Sequence, residues 1–223
     1  MATRSASKRG PESDEKAGAR ERILDAAFAA FMQRGYSATS TLEIASRARV
    51  SKRELYSLVG NKEKMLAACI TDRARRLQVP ADLPIPRDRE SLVQVLTGFG
   101  AQLLREVTDP AVLGVFRLAI AEAIHTPEVA QALDSIGRET TRVALRKIMS
   151  QAQESGLLSG RPAELAEQFS ALLWRDWMIS LLLGVAERPS SREIAGRAHE
   201  AAVSFMRLHI PRLGPVAEPP TET

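Results

Sequence analysis

The chain has few of the residues that covalent cross-links, metal clusters and membrane spans require. Its 223 residues include one cysteine, Cys69, which excludes an internal disulfide and a cysteine-cluster metal site. Residues 1–22 lack the apolar core of a signal peptide, and the longest apolar run, residues 177–186, is too short to span a bilayer. These absences predict a cytoplasmic protein without a membrane segment.

Aromatic residues and catalytic motifs are scarce as well. Aromatics make up only 4% of the sequence while alanine and leucine are abundant, which favours helices over sheets. The sequence contains no nucleophile elbow, phosphate-cradling glycine loop or metal-ligand cluster. A carboxylate pair such as Glu122 and Asp176 is an enzymatic alternative that nothing in the spacing supports. We therefore expect no enzyme, no cofactor and no bound metal.

The charge is unevenly distributed along the chain. Residues 1–80 hold 16 Lys/Arg and 9 Asp/Glu, a balance of +7, whereas the remaining residues hold 15 and 18, a balance of −3. The basic N-terminal part and the mildly acidic remainder of the chain predict that only the N-terminal part binds a polyanion. A basic tail on an ordinary protein is the alternative that charge alone leaves open.

Helical periodicity runs through most of the chain. The pattern predicts an all-α protein of about nine helices, near 20–34, 40–48, 51–59, 61–79, 89–108, 110–124, 127–155 with a break around Gly137, 163–184 and 190–209. It divides into a disordered extension (1–19), a compact helical domain (20–66), a larger helical domain (67–210) and a flexible tail (211–223). The proline-rich stretch VPADLPIPRD is the predicted linker.

Two capping boxes mark the short helices of the first domain. Ser40 is followed three residues later by Glu43, and Ser51 is followed in the same way by Glu54. In such a box each side chain satisfies the free backbone N–H of the other residue. Two helix starts only eleven residues apart predict two short helices joined by a tight turn.

The third helix, SKRELYSLV, has two faces. Leu55, Leu58 and Val59 form an apolar side that can pack on the first two helices. Its other side is polar and basic, with donors suited to guanine edges and phosphates. The predicted DNA-contacting residues of this helix and its neighbours are Ser40, Thr41, Arg49, Ser51, Lys52, Arg53, Tyr56, Ser57 and Lys62.

Residues 20–70 resemble the N-terminal domain of the TetR family of transcriptional regulators. The shared patterns are ILDAAFAAFMQRGYSATST, IASRARVSKRELY and NKEKML, and the later stretches FRLAIAEAIHTPEVAQAL and LAEQFSALLW are similar to the AefR-like subgroup. The resemblance implies an all-helical, nucleoid-associated homodimer that binds double-stranded DNA at a palindromic operator. It also implies a C-terminal domain that binds a small effector and dimerises.

The resemblance also implies individual DNA contacts. By position, Ser40 and Thr41 would meet phosphate, Lys52 and Arg53 would face bases, and Tyr56 would meet either. Lys62 would meet phosphate at the start of the fourth helix.

Three positions depart from the family pattern. Arg49 stands where the turn usually has glycine, and a left-handed backbone there would cost on the order of 1–2 kcal/mol. Glu54 replaces a small residue, and it either turns back as a cap or points at DNA, where it repels phosphate or selects cytosine N4. Val59 replaces a common aromatic residue. These changes bear on sequence specificity.

The C-terminal region predicts an apolar cavity and an interface. Large apolar residues at helical spacing are candidates to line a pocket for an apolar or amphipathic effector: Phe99, Leu103, Phe116, Ile120, Met149, Trp174, Trp177 and Met178. The predicted helix 163–184 is apolar nearly all round, and with the last helix it supplies the predicted dimer interface of Leu172, Leu183, Ala198, Ala202 and Phe205. Plain core packing within one chain is the alternative for both sets.

Two functions remain after the enzyme is set aside. The first is a repressor released from a palindromic operator by a small effector. The second is an architectural or weakly specific DNA-binding protein without an effector, for which affinity would be dominated by salt. The large acidic C-terminal region favours the first.

Overall fold

The computed structural model describes residues 11–76 and 85–209, and every regular element in these ranges is helical. The all-α prediction is therefore confirmed. No helix in these ranges has the length and apolar character needed to cross a membrane. The helices are α1 (Pro11–Arg34), α2 (Thr41–Ala48), α3 (Lys52–Leu58), α4 (Lys62–Arg76), α5 (Arg89–Val107), α6 (Pro110–Glu122), α7 (Pro127–Ala132), α8 (Glu139–Glu154), α9 (Pro162–Trp174), α10 (Trp177–Leu183) and α11 (Ser191–Leu208).

The described helices differ from the prediction at the N-terminus. α1 already begins at Pro11, so the predicted disordered extension is helical over residues 11–19. The rest of that extension, most of the proline-rich linker and the predicted flexible tail lie outside the described residues.

The contacts divide the chain into two compact units. Among the described residues, the first unit comprises 11–76 and 106–141, and the second comprises 85–105 and 142–209. α6 therefore packs against α1 and α7 against α4, although the predicted domain boundary lies at residue 67. The first unit is organised around fully buried side chains contributed by α1 to α4, including Phe31, Ile44, Leu55 and Met65.

The second unit is built on the packing of α9 against α11. Phe169 and Phe205 meet edge to face with ring centroids 5.8 Å apart, and both are fully buried. Gly100 of α5 lies against this pair of helices, where an added Cβ would come within 3.0 Å of Leu173 Cδ1 and 3.4 Å of Ala198 Cβ. The absence of a side chain at Gly100 thus permits the close approach of α5.

The predicted helix 163–184 is two helices. α9 ends at Trp174, and Arg175 takes φ 44° and ψ −127° before α10 begins. A straight helix would place Asp176 seven residues after the buried Phe169, on the core face. The break instead leaves Asp176 exposed.

The predicted break near Gly137 takes the form of a change in winding, since α7 and α8 are separated by a π-helical segment. Residues 127–154 form one uninterrupted helical run in which Leu133–Arg138 is wound as a π-helix. Gly137 is buried in this segment, and a Cβ there would come within 3.3 Å of Leu133 Cδ1 and 3.8 Å of Ile70 Cγ2. The tighter of these two contacts is with Leu133 of the same helical run, whereas the distance to Ile70 of α4 is an ordinary van der Waals contact.

Candidate nucleic-acid interface

Serine caps fix where α2 and α3 begin. Ser40 Oγ accepts from the Glu43 N–H at 3.1 Å, and Ser51 Oγ accepts from the Glu54 N–H at 3.0 Å. The return bond of a capping box is absent at both described helix starts. At the start of α2, the Glu43 carboxylate instead pairs with Arg47 at 2.8 Å. The two helix starts were predicted correctly, but each carries only the serine half of the box.

The turn between α2 and α3 is left-handed at Arg49. Arg49 has φ 55° and ψ 47°, the region that favours glycine. Its N–H bonds the carbonyl of Ser46, and the Val50 N–H reaches back to Ala45 O at 3.1 Å. This pair of bonds is the Schellman arrangement, which satisfies the last carbonyls of α2. The Arg49 side chain is exposed.

The two faces of α3 are separated as the sequence predicts. Leu55 is fully buried, and Leu58 and Val59 are half-buried against the core of the first unit. The residues that face solvent are Lys52, Arg53, Glu54, Tyr56 and Ser57. A short helix is thus held by its apolar side with its polar first turn presented outward.

One flank of α3 joins the start of α2. Tyr56 Oη lies 3.3 Å from Thr41 Oγ1, and Lys52 Nζ lies 6.0 Å from the centroid of the Tyr56 ring. These three side chains bring two hydroxyls and an ammonium group together beside the N-terminal end of α2. Hydroxyls, cations and helix N-termini are the groups that bind phosphate in protein–DNA contacts.

The structure places Lys62 differently from the other predicted contacts. Lys62 Nζ donates to the carbonyls of Tyr36 at 2.9 Å, Ser37 at 3.3 Å and Thr39 at 3.2 Å. It also lies 4.4 Å from the centroid of the Tyr36 ring. An ammonium group has three N–H donors, so all three are used on the loop between α1 and α2. In this state Lys62 positions that loop, and a phosphate contact would need one of these bonds to open.

The same loop is bound to the end of α6. Ser37 donates to Glu122 through its backbone N–H at 3.1 Å and through Oγ at 2.6 Å, and Thr126 Oγ1 donates to the same carboxylate at 3.2 Å. The Ser37 hydroxyl lowers the pKa of Glu122, assisted by the Ser37 N–H and Thr126 and opposed by partial burial. We call Ser37, Glu122 and Thr126 the loop latch.

Sequence reasoning missed the loop latch. Ser37 and Glu122 are 85 residues apart, and the local signal, a Thr-Pro step after α6, marks only the start of the next helix. Beneath the loop, Tyr36 is buried, and its ring centroid lies 5.4 Å from that of Phe31. Burial, with the charges of Glu128, Glu63 and Glu122, raises the pKa of Tyr36.

The predicted effector-pocket residues fall in both units. Phe99, Leu103 and Met149 are buried in the second unit, where Trp174, Trp177 and Met178 are half-buried. Phe116 and Ile120 belong to the first unit, where Phe116 is half-buried and Ile120 is 61% exposed.

The predicted interface residues also differ in exposure. Ala198, Ala202 and Phe205 are fully buried within one chain, because α11 packs on α9 through them. They are therefore core residues of the second unit and are not available to a partner. Leu172 is half-buried and Leu183 is 71% exposed.

Comparisons with known proteins connect both parts of the chain to one family. Residues 23–69 match the family described as bacterial regulatory proteins, tetR family, and residues 94–209 match the AefR-like transcriptional repressor, C-terminal domain. The chain is 22% identical over 164 residues to the uncharacterized HTH-type transcriptional regulator YvkB of Bacillus subtilis, across 74% of this chain and 84% of that protein.

Solved structures agree with this assignment. The Flavonoid-responsive Regulator FrrA superposes with a TM-score of 0.73 at 27% identity, covering 87% of this chain and 98% of its own. A TetR family transcriptional regulator from Pseudomonas syringae superposes with a TM-score of 0.65 at 29% identity, covering 86% of this chain and 97% of its own.

Proposed function

Because the chain belongs to the TetR family of DNA-binding transcriptional regulators, we propose that it is a repressor released from a palindromic operator by a small-molecule effector. The observation that carries this proposal is the division of α3. Leu55 anchors the helix in the core while Lys52 and Arg53 of its first turn face solvent. A helix held in this way can enter a major groove with its first turn at the base edges.

The proposed mode of binding requires two copies of α3. In a two-fold symmetric dimer, the recognition helices contact half-sites about one DNA turn apart, 34–36 Å. Footprinting of the full-length protein on the DNA upstream of its own gene should show protection of two symmetric half-sites at this spacing. One unsymmetrical half-site, or a monomer in solution by light scattering, would contradict the proposal.

Affinity at fixed salt distinguishes this proposal from an architectural role. A specific regulator should bind its operator about 10³–10⁷ times more tightly than random DNA. An architectural protein should bind both with similar affinity and a similar salt dependence. The measurement uses the same protein preparation and ionic strength for both DNAs.

We propose that the loop latch carries part of the effector response to α2. Ser37 lies three residues before the N-cap Ser40, so a movement at the end of α6 pulls directly on the segment that starts α2. Residues 106–141 lie within the matched C-terminal family region yet pack against α1 and α4 of the N-terminal helices. Because this segment belongs to the C-terminal family region and also to the first unit, it is suited to transmit a change in the C-terminal region to α2. We call this transmission the relay.

The relay is tested with Ser37→Ala. This variant should bind the operator in the absence of effector but need more effector for release, since an effector shifts the equilibrium only through differential interactions. Ser135→Ala is the control, because the Ser135 hydroxyl bonds only Gln131 O of its own helical run. An unchanged effector response in Ser37→Ala would exclude the relay.

We propose that the effector is a small apolar or amphipathic molecule bound among the predicted pocket residues of the second unit. FrrA is named as a flavonoid-responsive regulator, so flavonoids are a first panel of planar aromatic probes. Trp174 and Trp177 are the only tryptophans and lie within the predicted pocket set. A ligand that binds there should change tryptophan emission and release operator DNA over the same concentration range. Emission changes without DNA release would separate binding from regulation.

A further inference from the structure

Glu54 is the one acidic residue on the solvent face of α3. Its backbone N–H is used by the Ser51 cap, while its carboxylate makes no return bond to Ser51 and has no ion pair among the described residues. The side chain is exposed. The two readings left open by the sequence, a capping role and an outward carboxylate, are thus resolved in favour of the outward carboxylate.

The helical positions of the α3 residues place Glu54 on a separate flank. Successive residues are about 100° apart around a helix, so Arg53 lies opposite the buried side, between two flanks. Lys52 and Tyr56 lie on the flank that joins Thr41. Glu54 lies on the other flank, in the same first turn as Arg53. It is therefore positioned to meet a base edge that Arg53 does not contact.

The chemistry of a carboxylate restricts which base edge it can meet. An ionised carboxylate only accepts hydrogen bonds, whereas guanine and thymine present only hydrogen-bond acceptors, with a methyl group on thymine, to the major groove. Cytosine offers its N4 amine as a donor, and adenine offers N6 beside the repelling N7 acceptor. Resting on the proposed function, we infer that Glu54 is a specificity-determining residue that selects cytosine at one position in each half-site.

The inference is tested by selection from a randomised double-stranded DNA pool with the full chain. The native protein should enrich a symmetric motif with cytosine at one position per half-site, discriminated about 5- to 150-fold against other bases. Glu54→Ala should lose preference at that position alone. Glu54→Gln should shift it toward adenine, because an amide pairs with both N6 and N7. Both variants keep the backbone N–H that Ser51 caps, so helical circular dichroism should be unchanged.

Glu63→Ala is the matched control for charge, since Glu63 is exposed in the first turn of α4 and its loss removes one negative charge from the helix that follows α3. It should leave the selected motif unchanged. If Glu54→Ala behaves like Glu63→Ala, with every sequence bound more tightly and the motif retained, Glu54 only repels phosphate and the inference is wrong. A native protein that enriches no motif would instead refute the proposed function itself.

Discussion

The left-handed backbone at Arg49 allows a quantitative test of strain in the turn between α2 and α3. A Cβ at φ 55° and ψ 47° crowds the following carbonyl, at a cost of about 1–2 kcal/mol. Glycine removes this strain but adds freedom to the unfolded chain, which costs about 0.4–1 kcal/mol. Because the Arg49 side chain is exposed, its removal loses little packing. Arg49→Gly should therefore raise the free energy of unfolding by roughly 1 kcal/mol.

Arg49→Ala isolates the backbone effect. Alanine removes the guanidinium group and keeps the Cβ, so the Gly and Ala variants share any loss of charge. The Gly variant should be the more stable of the two by about 1 kcal/mol, which corresponds to about 2–4 °C in Tm for a chain of this size that unfolds cooperatively. Both tryptophans lie in the second unit, so their emission is a poor report on this turn.

Hydrogen exchange at the amides of α2 and α3 is the appropriate assay. An increase of about 1.4 kcal/mol slows exchange tenfold where closing is fast and exchange reports the opening equilibrium, so a roughly fivefold slowing is expected in the Gly variant. Equal exchange in the Gly and Ala variants would mean that the turn carries no left-handed strain. Both variants should lose DNA affinity alike if Arg49 contacts phosphate, and the salt dependence of log K should fall by about 0.9.

Three further outcomes are expected. Lys62→Met should lower the free energy of unfolding in the absence of DNA by about 1–2 kcal/mol, because three loop carbonyls lose their donor. The control Lys64→Met, at an exposed neighbouring position, should leave it unchanged. Equal urea midpoints for the Lys62→Met variant and the native protein would leave Lys62 with a phosphate role alone. Glu122→Gln should destabilise the first unit by about 1 kcal/mol at neutral pH. Since the folded-state pKa of Glu122 is lowered, its contribution is present above the unfolded pKa and is lost as pH falls through the folded pKa, so the two unfolding curves should converge in acid; a constant difference across pH would contradict the hydrogen-bond account. Arg53→Ala should relax preference at one base pair by about 1–3 kcal/mol if Arg53 pairs with guanine, and a loss that is equal for all sequences in the same pool selection would refute that role.

Local signals in the sequence were sufficient for the reading helices. The N-cap residues Ser40 and Ser51 predict the starts of α2 and α3, and the spacing of Leu55 and Leu58 predicts the buried side of α3. Each of these features depends on residues within one or two helical turns of each other. The all-α class follows for the same reason, since helices are made from local hydrogen bonds.

Features that depend on packing between distant segments could not be predicted from local sequence patterns. The apolar pattern of residues 163–184 indicates burial on several sides but does not show that the helix ends at Trp174 and that Asp176 is exposed. Likewise, the apolar face of the last helix, which contains Ala198 and Phe205, suits either a four-helix dimer interface or the core of one chain. The packing of α11 on α9 within one chain decides between these, and it depends on residues more than thirty positions apart.

The loop that precedes α2 is bound by two different helices of the first unit. Lys62 of α4 and Glu122 of α6 bind the same short loop, one through its carbonyls and the other through the Ser37 N–H and hydroxyl. The loop that starts α2 is therefore fixed from two helices at once, and a shift of either helix must break hydrogen bonds or move α2. On the proposed function, an effector that shifts α6 would therefore move α2 rather than break the loop latch, since hydrogen bonds to a charged group contribute about 1.5–3 kcal/mol each.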